Sequence, residues 1–472
     1  MRLELNGKIN GTYVQTLCAM FFHGEKFPKE SSSETKSLIV TTNDTEAGIE
    51  CVCEFDINGK KSQGSAFCPF SENEKYERTC KTAVGKAVYE AGVKLTGRTI
   101  PWGILTGIRP SKVALELILN YGEEKAKEIL IERYLLSENK ANLAIQVAKN
   151  EHLILSQAEN NTCSIYISIP FCPSRCTYCS FISYATPKLF NLIPDYIDKL
   201  LLDIDSTFKL IKEQALKVIS IYVGGGTPTI LTEYQLEMLL NRISKHINTD
   251  ELLEFTLEAG RPDTISEKKL FVAKKYGVTR ISVNPQSLND EVLQAIGRKH
   301  TANDFLEAYE LVSHSKIKHI NTDLIAGLEK DTFESFKKTL DTIIALEPDN
   351  ITVHSFCVKK SAQILKDNNE IYDEYNQDAI QSVDYAYEAL TQNGYEPYYM
   401  YRQKNTISDL ENVGYAKKNA FGIYNVLMMA DAHTVFGIGA GATTKIVKNE
   451  NGILHIERIF SPKYPYEYLQ DK

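Results

Sequence analysis

No stretch of the sequence stays apolar and uncharged long enough to cross a bilayer, and the opening residues, MRLELNGKING, show neither a long apolar run nor a basic region ahead of one. Membrane insertion and export are therefore not expected, and a cytoplasmic protein is. Positive charge is also in short supply. With 53 Lys and Arg against 61 Asp and Glu, the net charge of -8 gives no general attraction to nucleic acid or to an anionic membrane, although local basic pockets stay open. Nothing in the composition resembles a disordered or a small stapled chain: 43% hydrophobic and 24% charged residues over 472 positions suffice for two or three domains. Ten cysteines in such a chain favour reduced thiols and metal ligation over a disulfide framework.

Three of those thiols are crowded together. The stretch Ser164 to Tyr184, SIYISIPFCPSRCTYCSFISY, places Cys172, Cys176 and Cys179 as C-x-x-x-C-x-x-C directly after a run with strand character. Thiolates suit soft metals and iron-sulfur clusters, and three ligands in one loop can hold three corners of a 4Fe-4S cube. The fourth iron would then be open to a cofactor or substrate. The alternatives are ordinary thiols or part of a zinc site. Zinc would need a fourth ligand, and no close Cys or His follows.

The loop resembles the cluster-binding signature of the radical S-adenosylmethionine (radical SAM) superfamily, whose open iron chelates the amino and carboxylate groups of that cofactor. The preceding IPFC and the aromatic Tyr178 are similar, more narrowly, to the oxygen-independent coproporphyrinogen III oxidase group. Best-known members of that group carry a further Cys just after the third ligand, where Ser180 and Phe181 stand here. The resemblance runs from Ser164 to Lys445 and is nearest to the HemZ branch, which also has a long N-terminal extension.

Before the loop, residues 1–160 read as an α+β domain. Extended runs dominate to Phe67 (LELNG, SLIVTT, GIECVCEFDI), and helical spacing follows in KTAVGKAVYEAGVKL, SKVALELILNYG and ENKANLAIQVAKNEHLIL. Cys51 and Cys53 share a strand face and read as core rather than as ligands. The loop with Trp102, Arg109 and Lys112 reads as a connector or a ligand contact, and polar Gln157 to Thr162 marks the boundary.

Across 161–358 the runs SIYISI, VISIYVGG, LEFTLEAG, RISVNPQS, KHINTDLIAG and NITVHSF are separated by segments with room for helices. That alternation predicts a parallel sheet with right-handed crossovers. Six units are too few for a closed eight-unit barrel, so the fold class expected is α/β, a partial (β/α)6 TIM-like barrel with its site at the strand ends. Gly224, Gly225 and Gly226, with Thr227, follow the second run. Alone they are weak evidence, a tight turn or a close backbone approach; the resemblance makes them the segment that receives the cofactor's methionyl amino group. Glu258 ends the third run, where a carboxylate can accept from an ammonium group. After the fourth, Gln286 suits ribose hydroxyls and Arg298 offers a forked charge for a carboxylate. The resemblance assigns Asp323, Ala326 and Gly327 to ribose and adenine contacts, places Tyr166 near the cluster, and makes Tyr166, Glu258 and Arg298 the residues nearest the chemistry. His300 reads as a polar residue at a helix start.

The remainder, 359–472, reads as a C-terminal lid domain. Tyr395, Tyr398, Tyr399 and Tyr401 could stack on a flat macrocycle or form a tyrosine-rich strand. Gly437, Gly439 and Gly441 before Lys445 lack the context of a nucleotide-binding motif. They resemble instead the small-residue turn of the same family's C-terminal domain. The reaction the resemblance implies is oxidative decarboxylation of two propionates of coproporphyrinogen III to vinyls, giving protoporphyrinogen IX. The implied cofactors are a 4Fe-4S cluster and S-adenosyl-L-methionine; the implied partners are a tetrapyrrole and an electron donor such as flavodoxin or ferredoxin, with no nucleic acid. Arg261, Arg402 and Lys445 are candidates for substrate carboxylates on charge alone. A heme-binding chaperone, with His354 or His433 as iron ligand, and a radical enzyme on another tetrapyrrole are the competing readings.

Overall fold

The computed structural model describes residues 1–22, 25–28, 35–71, 74–107, 109–159, 161–179, 185–248, 251–357, 376–403, 406–450 and 453–470. Ser180, Phe181 and the expected boundary at 358–359 lie outside the described residues. The chain forms two compact units: Met1–Ala148 with Tyr401–Asp409, and Lys149–Met400 with Leu410–Lys472.

In the first unit β1 (Arg2–Asn6) runs parallel to β2 (Lys36–Asp44), and β3 (Gly48–Ile57) and β4 (Lys60–Pro69) continue antiparallel. Alternation buries Leu38, Val40, Cys51, Cys53 and Phe55. Helices α1 (Gly11–Phe21), α2 (Tyr76–Thr96), α3 (Pro110–Tyr121), α4 (Glu123–Glu132) and α5 (Glu138–Leu155) complete it. Helix α2 lies directly on β4 because position 64 has no side chain: a β-carbon there would stand 2.2 Å from the Ala87 carbonyl oxygen. Helix α1 departs from the extended reading of this region. The Asn10 side chain accepts from the Tyr13 N–H at 3.1 Å to start it, and Val14, Leu17, Cys18 and Phe21 bury its apolar side. Burial pushes the Cys51 thiol up to about 12, as expected for a core thiol. Trp102 is buried too, with the Arg402 guanidinium 5.5 Å over its ring.

The second unit is built on one sheet of order β11-β12-β10-β9-β8-β7-β6-β5-β13-β14-β15. Its centre is the six expected runs, realised as parallel neighbours: β5 (Thr162–Ile169), β6 (Lys217–Gly225), β7 (Glu254–Glu258), β8 (Arg280–Ser282), β9 (His319–Ala326) and β10 (Asn350–Ser355). Between them run α6 (Pro187–Phe190), α7 (Ile193–Glu213), α8 (Glu233–Ser244), α9 (Glu267–Lys275), α10 (Asp290–Ala295), α11 (Ala302–His314) and α12 (Phe333–Ala345). This is an α/β partial barrel. Helix starts are written locally: Thr232 with Gln235 and Thr301 with Asp304 form reciprocal caps on α8 and α11. Helix α7 buries Ile197, Leu200, Ile204, Phe208 and Ile211 at helical spacing. Each such side chain contributes roughly 1.5–3 kcal/mol.

C-terminal strands extend both edges of this sheet. After α13 (Gln377–Gln392), β11 (Tyr395–Arg402) and β12 (Glu411–Lys417) join beside β10. Following α14 (Ile423–Met429), β13 (Thr434–Ile438) runs parallel to β5 and leads into β14 (Thr443–Glu450), β15 (Ile453–Phe460) and α15 (Pro465–Gln470). Of the two readings of the tyrosine run, the strand is what forms. Tyr395, Tyr398 and Tyr399 are buried, Tyr398 stacks on Phe421 at 5.3 Å, and the ring of Tyr399 fills the space a side chain at Gly414 would need. No described helix is long and apolar enough to cross a membrane.

Candidate active site

The two faces of the central sheet differ in chemistry. One carries Ile165, Ile167, Ile221, Val223, Phe255, Leu257, Ile281 and Leu324, all buried. The other carries Ser164, Tyr166, Ser220, Tyr222, Glu254, Thr256, Glu258, Arg280, Ser282, Asn321, Asp323, Asn350, Thr352 and His354. Register aligns them in rungs, Glu258 beside Ser282 and Ser282 beside Asn321, then Asp323 beside Thr352. A buried polar face is costly unless its groups pair with one another or with a ligand.

At the lower end of that face the groups pair with one another. Arg280 donates to Glu254 at 3.3 Å and to the Ala420 carbonyl at 3.0 Å, and its guanidinium also reaches the Asn350 side-chain oxygen. The Glu254 carboxylate accepts the backbone N–H groups of Ile423 and Tyr424 at 2.7 and 3.3 Å, in the first turn of α14.

Higher up, pairing is looser. The Tyr222 hydroxyl donates to Glu258. Burial and then the neighbouring Asp323 charge push the Glu258 carboxyl up to about 7, against the opposing effects of Tyr222, Ser282 and His354. Burial also resists ionisation of Asp323, but His354, Asn321 and Thr352 outweigh it and hold that carboxyl below its usual value. Asn321 donates to Asp323 at 2.9 Å, and His354 Nε2 lies 3.9 Å from Asp323 Oδ2. Three rings stack beside this pair. Tyr222 lies 4.5 Å from Tyr424 and 6.2 Å from Tyr166, centroid to centroid.

The cysteine loop leaves β5 and is tied down on both sides. Thr227 and Gly226 donate to the carbonyls of Phe171 and Ile169, and Thr177 donates to that of Ile296. Cys172 Sγ is 3.3 Å from the Thr227 hydroxyl, and the Cys179 N–H donates to the Cys176 carbonyl at 3.2 Å. Among the described residues no three Cys, His, Asp or Glu side chains are drawn together as an ion's shell. Arg298 is half-buried between the loop and the sheet. It donates to Gly260 O at 2.9 Å, Asn284 O at 3.2 Å and the Tyr178 hydroxyl at 3.2 Å, while its Nε has no partner among the described residues. Loss of water opposes its charge, and Tyr178, Cys176 and Cys179 outweigh that loss. Gln286 is held at φ 67 with its Oε1 buried and unpartnered. Three soft donors on one loop, with buried polar atoms on Gln286 and Arg298 that lack a partner among the described residues, fit a thiolate-held cluster and a polar ligand beside it.

Glu258 and Asp323 thus share one polar face, and Arg298 joins it through the Asn284 carbonyl. Ala326 ends β9, and Gly327 follows at φ 79. The glycine triplet has reasons of its own: a β-carbon would meet Tyr222 at 2.8 Å from Gly224 and the Phe171 carbonyl at 2.5 Å from Gly226, while Gly225 sits at φ 108. Charge alone misread three cations. Lys445 donates to Leu427 O, Met428 O and Ala430 O at 3.2, 2.9 and 2.5 Å, closing the C-terminal end of α14. Arg261 pairs with Asp263 at 3.1 Å, and Arg402 donates to Leu105 O and Asp409 O. His433 is buried, 2.9 Å from Ser164 Oγ, and is poorly placed for iron. Sequence reasoning missed Tyr222; it noted Tyr424, in a YN pair resembling the family's C-terminal domain, and Asn284 at a run's end, but gave neither a place beside the carboxylates. Asn284 accepts the Asp323 N–H at 3.2 Å, and its position at the end of the RISVNPQS run was the available signal.

A family model described as the radical SAM superfamily matches residues 166–343. The chain is 36% identical over 377 residues, 79% of its length, to the oxygen-independent coproporphyrinogen-III oxidase-like protein HemZ of Bacillus subtilis, of which it covers 75%. It is 31% identical over 317 residues to the heme chaperone HemW of Haemophilus influenzae, covering 65% of this chain and 76% of that one. In fold it is similar to the solved coproporphyrinogen III oxidase HemN of Escherichia coli, with TM-score 0.53 and 22% identity over 68% of this chain and 71% of that chain.

Proposed function

The chain belongs to the radical SAM superfamily and, within it, to the group that holds HemZ and HemN, and from that premise we propose that it decarboxylates coproporphyrinogen III oxidatively to protoporphyrinogen IX. The observation that carries the reading is the 36% identity to the oxidase-like HemZ over three quarters of that protein. The polar inner face of the sheet is consistent with it.

In this reading Cys172, Cys176 and Cys179 hold the 4Fe-4S cluster. When bound, the cluster and S-adenosylmethionine supply one-electron cleavage of the sulfonium and the hydrogen abstraction that begins decarboxylation. The chain's own residues orient and exclude water. Glu258, when ionised, accepts from the N–H groups of the cofactor's amino group. Arg298, already fixed by two backbone carbonyls and Tyr178, directs its remaining donor at the carboxylate. Gln286 and Asp323 take the ribose hydroxyls, the Ala326 and Gly327 backbone receives the adenine, and Tyr166 stands beside the cluster. The C-terminal segment covers the tetrapyrrole, a flavodoxin or ferredoxin supplies the electron that starts each cleavage, and an external electron acceptor takes the one released when carbon dioxide leaves the substrate.

A second reading, heme delivery, is favoured by the 31% identity to a heme chaperone. One experiment separates them. Anaerobically reconstituted protein is given coproporphyrinogen III, S-adenosylmethionine and a low-potential reductant, and products are weighed by mass spectrometry. Loss of two carboxyl groups, each as carbon dioxide together with two hydrogens, supports the oxidase. Heme retained through gel filtration with no such loss overturns it in favour of the chaperone, and a different mass change points to another tetrapyrrole reaction.

A further inference from the structure

The hydrogen bond between Tyr222 and Glu258 links two neighbouring strands on the buried polar face. Tyr222 on β6 donates its hydroxyl to Glu258 at the end of β7. Its ring cannot drift. Tyr424 stacks on it at 4.5 Å, Tyr166 lies 6.2 Å away, and on the backbone side Gly224 leaves only the space its missing β-carbon would fill, 2.8 Å from the ring. Tyr424 is in turn fixed through its backbone N–H by Glu254. A phenol held so firmly against a half-buried carboxylate does more than fill space.

We infer that Tyr222 is a positioning residue that selects the ionised form of Glu258 and aims its free oxygen at the N–H groups of the cofactor's amino group, a role that rests on the cofactor-binding reading above. A carboxylate that loses its water needs a donor on one oxygen if the other is to stay charged and available. Tyr222 supplies that donor, and burial together with the adjacent Glu258 charge keeps its own proton in place. The groups facing Glu258 from the surrounding strands are Tyr166 on β5, Ser282 on β8, Asp323 on β9 and His354 on β10. Asp323 opposes its ionisation, while Tyr222, Ser282 and His354 favour it, Tyr222 through the hydrogen bond from its hydroxyl.

The consequence is a specific pH dependence. Glu258 titrates near 7, so affinity for S-adenosylmethionine falls as pH drops through that value and the carboxylate takes up a proton. Removing the Tyr222 hydroxyl raises that midpoint. For a rise of about one pH unit, affinity drops roughly tenfold at pH 6, about fivefold at pH 7 and less than twofold at pH 8.5.

Isothermal titration of S-adenosylmethionine into the anaerobically reconstituted full chain, from pH 6 to 8.5, tests this on wild type, Tyr222→Phe and Glu258→Gln. Tyr222→Phe keeps the stacked ring, and unchanged visible absorption of the cluster verifies that the site is loaded. Convergence of the Tyr222→Phe and wild-type curves at high pH supports the inference. A parallel offset at every pH, or no change, overturns it. Replacing Tyr222 by 3-fluorotyrosine, a more acidic donor of nearly the same shape, must move the midpoint the other way. Glu258→Gln separates the two levels of the reading: a flat, weakened profile upholds the cofactor site whatever Tyr222 does, whereas unaltered binding removes Glu258 from that site.

Discussion

Gly224 lies against the ring of Tyr222 so closely that a β-carbon would stand 2.8 Å from its Cε1. Movement of the ring is restricted by Tyr424, stacked on it at 4.5 Å. Gly224→Ala should therefore destabilise the chain by about 1–3 kcal/mol through overpacking. Urea denaturation measures it, and a stability equal to that of wild type would show that the ring has room to yield.

Glu254 and Arg280 form a buried pair at 3.3 Å, with Glu254 also holding the first turn of α14. Glu254→Ala leaves a guanidinium without its counter-charge and two backbone N–H groups without an acceptor. The expected loss is about 3–5 kcal/mol, the range for breaking a buried pair. Arg280→Met should cost a comparable amount, and the double variant less than the two losses added, because each single change already strands the other charge. Additive losses in denaturant unfolding would show that the residues act independently.

The strands of the partial barrel were legible because β-branched residues recur at a period of two in SIYISI, VISIYVGG and NITVHSF, a pattern that local sterics enforce. The meaning of the residues between them was not. Tyr166, Tyr222 and Tyr424 meet only after β5 and β6 pair in register and a distant helix docks, and no periodicity reports a contact across that separation. The glycine triplet stood out in the sequence, but close packing against Tyr222 and Phe171 accounts for Gly224 and Gly226 without a ligand. Lys445 looked like a free cation because a sequence does not show which carbonyls a folded helix end presents. Helix α1 was hidden by its shortness and by extended runs on either side, whereas its cap, Asn10, was visible in retrospect.

Cys176 is buried, and its neighbour Cys179 donates its N–H to the Cys176 carbonyl, so the two thiols leave one turn. Cys176→Ser should abolish the visible absorption that appears on anaerobic reconstitution with iron and sulfide. Cys163→Ala is the control. That thiol is buried in β5 and pushed up to about 12 by burial, so it should leave the spectrum unaltered. An unchanged spectrum for Cys176→Ser would remove that residue from the ligand set.

His433 and His300 give the chain a weak point in acid. Burial and then the Lys445 charge lower the imidazole of His433 to about 4, and burial with Arg298 and Arg261 does the same for His300. In the unfolded chain both titrate near 6.5. Between those values the unfolded state binds protons that the native state refuses, so the stability each ring contributes is whole above about 6.5 and is lost as pH falls toward 4. At pH 5 the loss is no more than about 2 kcal/mol per ring, less any screening by solvent. Glu258, held near 7, works in the opposite direction, and its effect cancels when variants are compared at one pH. His433→Gln keeps an acceptor for the Ser164 hydroxyl, which lies 2.9 Å from the ring, while removing the titration. It should lose less stability than wild type between pH 7 and pH 5 in urea denaturation, with His300→Met adding to the gain. If wild type and His433→Gln fall by the same amount, the buried imidazole is not what acid attacks.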